Sequence, residues 1–172
     1  MRPHMKTILV LAMHGAPPND FAKKELVEFM GLHNQLEHTP VAQQSPIQKR
    51  LDELNEKVRS WPRTSTNDPF YAGSIALAKQ LEVASKMTVI LGFNEFCAPS
   101  LDEALEQAAL AAERVLVITP MMTRGGEHSE RDIPASIRTA QNNHRQVDFQ
   151  YIWPFDVSEV AGFLAEQLKR FE

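Results

Sequence analysis

The chain carries six histidines, and two of them stand where apolar runs end: His14 closes ILVLAMHG, and His128 follows RVLVITPMMTRGGEH. A carboxylate, Glu95, ends a third run, MTVILGFNE. If these runs are strands of one open parallel sheet, the three groups share its carboxyl edge, where such sheets bind ligands. Two imidazoles and a carboxylate can hold a borderline divalent metal ion and accept protons. His14 precedes Gly15 in a sharp strand-to-loop turn, where glycine lets the backbone approach a ligand closely. Ahead of His128 stands the pair Gly125-Gly126, which can fold a loop back over a pocket. Glu95 lies in an apolar neighbourhood, where an unpaired carboxylate is costly, so it needs a metal or an imidazolium as partner. Each residue also has a plainer use. A histidine can plug a strand end, and a glutamate can cap the turn that follows.

The other candidates are weaker. His33 falls on the apolar stripe of its helix and reads as a half-buried packing residue; His38 and His144 sit at helix ends, where the dipole favours a cation. His4, in the leading MRPHM, is given no functional weight. Met121 and Met122 can line an apolar pocket or fill the core. Cys97, the single cysteine, reads as a small hydrophobe: it has no disulfide partner within the chain, which suits a reducing compartment.

The elements that must position these groups follow from periodicity. Four apolar runs, roughly residues 7 to 13, 87 to 93, 114 to 120 and 147 to 154, read as strands. Three are almost continuously apolar, as expected of parallel strands covered on both faces. Ser100 with Glu103 forms a capping box for a helix carrying Leu101, Ala104, Leu105, Ala108 and Ala112 on one face. Asp132 is placed to cap the next helix, with Pro134 in its first turn and Ile133, Ile137 and Ala140 turned inward. A last helix aligns Val157, Val160, Ala161, Leu164, Leu168 and Phe171 on one stripe. This alternation implies a three-layer α/β fold in one domain spanning residues 1 to 172, a length sufficient for one core.

About seventy residues separate the first two strands, more than a parallel crossover requires. Two extra helices, within an insertion at about 21 to 62, precede a third opened by Asp68-Pro69. They are expected to form a lid, an interface or extra wall. The hydrophilic join PRTSTNDP, residues 62 to 69, is expected to be a mobile loop near the site.

A net charge of -4 with scattered Lys and Arg gives no field for nucleic acid. No stretch has the roughly 20 apolar residues of a membrane span, and residues 1 to 6 lack a signal-peptide centre. A cytoplasmic protein without nucleic-acid or membrane partners is the expectation. There is no Gly-x-Gly-x-x-Gly and no Walker loop, so no organic cofactor or nucleotide is expected.

Together these motifs resemble the class II chelatases of the CbiX/SirB type. GFNEFCAPSLDEAL is similar to that family's Phe-x-Glu segment and Pro-Ser-Leu helix start. RVLVITPMMTRGGEHSERDIP is similar to its third strand, Gly-x-His loop and Asp-Ile-Pro helix. MHGAPP resembles its His-Gly-Ser turn, with Ala16 in place of the serine. The likeness covers residues 7 to 20 and about 87 to 171, and the helical stretch between them departs from the family's shorter crossover.

The resemblance implies a flavodoxin-like, four-stranded parallel sheet in the order 2-1-3-4, with the helical insertion between strands 1 and 2. It implies insertion of cobalt, or iron or nickel, into sirohydrochlorin or a related tetrapyrrole in cobalamin- or siroheme-type biosynthesis. His14, Glu95 and His128 would then hold the metal, which is a substrate, and take up pyrrole protons. An imidazole of ordinary pKa, about 6.5, suits that task. The tetrapyrrole is a polycarboxylate, so Arg124 and Arg131, with Gly15 and Gly126, are the expected substrate contacts. Short family members imply a homodimer. Two other readings stay open: a non-catalytic carrier of metal or tetrapyrrole, and a metal-independent acid-base enzyme using His14 and Glu95.

Overall fold

The computed structural model describes residues 5–171, so His4 lies outside the described residues. Four parallel strands form one sheet in the order β2-β1-β3-β4: β1 (Thr7–Met13), β2 (Thr88–Phe93), β3 (Arg114–Ile118) and β4 (Asp148–Tyr151). β1 lies in the middle, pairing Leu11 with Leu91 on one side and with Ile118 on the other. The order 2-1-3-4 is the one the resemblance implied.

Because successive strand residues point to opposite faces, β1 feeds two cores. Ile8, Val10 and Ala12 pack with Val115, Val117 and the helices α4 (Leu101–Ala111) and α5 (Ile133–Asn143). Leu11 and Met13 pack on the other face with α1 (Lys23–Glu37), α2 (Ser45–Arg59) and α3 (Pro69–Ser85). The nearly unbroken apolar run of β1 is thus explained by burial on both faces. β2, an edge strand, is only partly buried over most of its length. The Ser100–Glu103 capping box forms as the spacing predicts, and Asp68 caps α3 by accepting from Tyr71 N at 2.8 Å.

Four expectations are corrected. The segment 62 to 69 is not a loose loop: Arg63 and Asp68 form an ion pair with side chains only 5% and 1% exposed. Composition marks the segment as solvated, but Arg63 finds acceptors in two distant stretches of chain, at Ala16 and Phe96, as well as nearby at Val58 and Asp68. The stripe of α6 (Val157–Leu168) is not core, since Val157, Leu164, Leu168 and Phe171 are all exposed. Periodicity shows that a helix has an apolar side without showing that anything covers it. His33 is exposed rather than half-buried, its ring set edge-on against Phe29 at 4.8 Å. Asp132 caps no helix: its backbone is already helical and its side chain makes no capping bond. The chain enters α5 through a π-helical turn, His128–Asp132, which leaves the Asp132 carboxylate free for another partner.

Among the described residues no helix is long and apolar enough to cross a membrane.

Candidate metal and substrate site

The three carboxyl ends converge as the strand order requires. One ligand atom each from His14, Glu95 and His128 lies within 4.8 Å of the others. The imidazoles meet edge to face, centroids 4.4 Å apart, and His128 Nε2 lies 3.9 Å from Glu95 Oε1. A tetrahedral shell with metal bonds near 2.05 Å separates its donors by about 3.3 Å, so this set is slightly more open than a closed site. Three donors leave further coordination positions to water or an incoming ligand, as a transient site needs. His14 itself is exposed.

Backbone contact fixes the first two donors together. Asn94 N and Glu95 N donate to the carbonyls of Met13 and His14, both at 2.9 Å, carrying the β1–β2 ladder past the strand ends. Gly15 makes this approach possible. It has φ +101°, and a Cβ there would lie 1.9 Å from the Glu95 carbonyl oxygen. No side chain fits. Phe96, on the far side of Glu95, is held at φ +57°, a left-handed conformation that costs a non-glycine residue about 1–2 kcal/mol. The cost is offset by burial of its ring and by an arginine on its carbonyl.

That arginine is Arg63. Its guanidinium donates to Phe96 O, to Ala16 O at 3.0 Å, to Val58 O at 2.9 Å and to the Asp68 carboxylate, leaving only Nε without a partner. Burying an ion costs several kcal/mol, so a pair this enclosed persists only with its hydrogen bonds satisfied. Arg59 acts alongside, donating to Asn94 O at 3.0 Å and to Cys97 O. Burial lowers its pKa, with partial opposition from nearby carboxylates such as Glu103. Of the three roles considered for the inserted helices, the structure supports extra wall: the end of α2 and the residue four beyond it strap down the loop bearing Glu95.

A cleft of about 300 Å³ opens between that wall and the strand ends. Phe29, His33, Asn55 and Arg59 line it from the inserted helices, and Glu95, His128 and Asp132 from the sheet edge. Phe29, Asn55 and Arg59 carried no signal in the sequence beyond helical periodicity.

His128 is held differently. Residues 122 to 127 ahead of it are exposed, with Gly125 at φ +88°. The π-helical turn then anchors the chain: Ser129 is buried, its hydroxyl donates to Gly126 O at 3.1 Å, and Tyr151 donates to Ser129 O at 2.9 Å. Burial pushes the Tyr151 phenol up to about 12, so it keeps its proton and remains a donor. His14 Nδ1 lies 2.6 Å from the Gly15 carbonyl, and His128 Nδ1 lies 2.7 Å from Asp132 Oδ2. A carbonyl only accepts, so His14 Nδ1 bears the proton and, in the neutral ring, Nε2 carries the lone pair.

Both candidate rim arginines are exposed, and each has an acidic neighbour. Arg124 pairs with Glu130 at 3.0 Å, a contact that lowers the pKa of Glu130, and Arg131 pairs with Glu127 at 3.1 Å. His38 bonds the Asn34 carbonyl at the end of α1, and His144 meets Glu106 at the end of α5. Both stand at helix ends, apart from the cluster. Cys97 is fully buried, and burial raises its pKa.

Comparison with known proteins gives consistent matches. A family model described as CbiX matches residues 65–170. Over 53 residues the chain is 38% identical to a sirohydrochlorin cobaltochelatase of Methanopyrus kandleri, a match covering 31% of this chain and 37% of that protein. The matched segment is thus little more than a third of that relative's length. Among solved structures, the sirohydrochlorin chelatase SirB of Bacillus subtilis subspecies spizizenii, in complex with cobalt, aligns at 17% identity with a TM-score of 0.48. It covers 96% of this chain and 51% of its own. A putative cobalamin biosynthesis CbiX protein of Marinobacter aquaeolei VT8 aligns at 18% identity with a TM-score of 0.46, covering 95% and 98%.

Proposed function

The chain belongs to the CbiX family, and from that premise we propose that it inserts a divalent metal ion (cobalt, iron or nickel) into sirohydrochlorin or a related tetrapyrrole. The observation that carries the reading is the cluster of His14, Glu95 and His128 on one open strand edge beside a cleft. Two neutral imidazoles and a carboxylate hold a borderline divalent ion without closing its coordination shell, so the ion can pass to the macrocycle nitrogens. Insertion displaces two pyrrole protons. With the ion transferred, the imidazole nitrogens and the Glu95 carboxylate are free to take them up. Gly15 and Gly126 let the macrocycle approach the backbone. Arg124 and Arg131 exchange their carboxylate neighbours for those of the substrate, an exchange that costs little because exposed pairs contribute only about 0–1 kcal/mol. The lone buried thiol of Cys97 suits the reducing cytoplasm to which we assign the reaction. A homodimer belongs to the same reading and is checked by light scattering.

The test is an anaerobic absorbance time course of sirohydrochlorin with cobalt(II), with and without the protein. The protein should accelerate insertion, and His14→Ala and His128→Ala should each lower the rate by about 10²-fold or more while the circular dichroism stays native. A stoichiometric change in the macrocycle spectrum, without faster insertion of cobalt, nickel or iron(II), would instead identify a carrier.

A further inference from the structure

Asp132 has no role in the reading so far, and its surroundings give it one. A helix-initiating aspartate ordinarily accepts from the backbone N–H groups of the first turn. Here the π-helical turn brings Asp132 into the helical register before α5 begins, with φ -72° and ψ -50°, and none of those bonds forms. Its carboxylate turns instead to His128, four residues earlier, with Oδ2 2.7 Å from Nδ1. An ionised carboxylate only accepts, so the proton of a neutral His128 ring must sit on Nδ1. The Nε2 lone pair then faces Glu95 Oε1, 3.9 Å away, and the ring stands edge to face with His14.

The contrast with His14 shows why a side chain is needed. His14 obtains the same tautomer from the next carbonyl in its own backbone, fixed by the Gly15 turn. His128 stands at the head of a helical turn whose first carbonyls are engaged: Gly126 O accepts from Ser129 and Glu130, and His128 O accepts from Ile133 N. With no backbone acceptor at Nδ1, an isolated imidazole is free to place its proton on Nε2 and turn a donor toward the shared site.

We infer that Asp132 is a positioning residue that holds His128 as the Nδ1–H tautomer, directing its Nε2 lone pair to the point shared by His14 and Glu95. The use made of Nε2 rests on the proposed function, but the tautomer does not. A carboxylate behind a ligating histidine fixes the ring and raises its basicity, and losing such a partner costs metal affinity about 10–100-fold.

The experiment reads both consequences separately. Long-range proton–nitrogen NMR of the metal-free protein, at a pH where His128 is neutral, should show Nδ1–H in the wild type and a shift toward Nε2–H in Asp132→Ala. Titration with cobalt(II) alone should show affinity falling by about 10–100-fold in Asp132→Ala, with a smaller loss in Asp132→Asn, whose amide oxygen can still accept. A melting temperature near that of the wild type in both variants assigns the loss to orientation rather than folding. An unchanged tautomer in Asp132→Ala, or wild-type cobalt affinity in that variant, overturns the inference. Failure of sirohydrochlorin insertion with the tautomer shift intact would instead overturn the chelatase reading.

Discussion

His14 and Glu95 stand on adjacent strand ends whose backbones are hydrogen-bonded to each other and strapped by two arginines, whereas His128 stands beyond an exposed, glycine-bearing loop and is aimed by side chains. The first pair is placed by the fold. To move Glu95 relative to His14 requires breaking the β1–β2 ladder or uncovering the buried Arg63–Asp68 pair. The third donor depends on Asp132, Ser129 and Tyr151, through side-chain hydrogen bonds rather than the backbone ladder of the sheet. A site that receives an ion and gives it up gains from such an asymmetry, because one donor can adjust while the other two remain in place.

Substitutions can break this comparison or sharpen it. The largest effect is expected from Arg63→Met, which leaves Asp68 charged and buried and frees three carbonyls. Stability should fall by about 3–5 kcal/mol in urea unfolding, with cobalt binding lost in parallel. A loss below about 1 kcal/mol would show that the His14–Glu95 half is not held by the fold. Next is Gly125→Ala, where φ +88° disfavours any side chain by about 1–2 kcal/mol. Its effect should appear mainly as weaker cobalt(II) binding. The smallest is Tyr151→Phe, which removes one hydrogen bond to Ser129 O and should cost about 1 kcal/mol. If Tyr151→Phe and Gly125→Ala lower stability as much as Arg63→Met, the two halves are one cooperative unit and the distinction fails.

What could be read in advance follows the same division. The strands, the capping box and the placement of His14 and Glu95 at strand ends were legible as local signals, whereas the strand order that brings them to His128 was implied only by the resemblance to the family. Arg63 was hidden: a polar stretch reads as solvated unless its acceptors are known, and these come from Ala16, Val58 and Phe96, which no local pattern joins. Asp132 was legible as an important residue but not in its role, because the cap expected of it presumes an ordinary helix start and the π-helical turn changes the register. The α6 stripe was overread, since amphipathic spacing says nothing about whether a partner surface exists.

The three candidate donors follow three different strands, with long stretches of chain between them, so an unfolded chain does not present them together. An ion that binds only the folded form draws the folding equilibrium toward it, by about 2.7 kcal/mol when its free concentration is a hundred times the dissociation constant. Under the proposed function, metal supply would set the share of molecules held folded as well as the rate of insertion, and a shortage of the ion would leave more of the chain open to proteolysis.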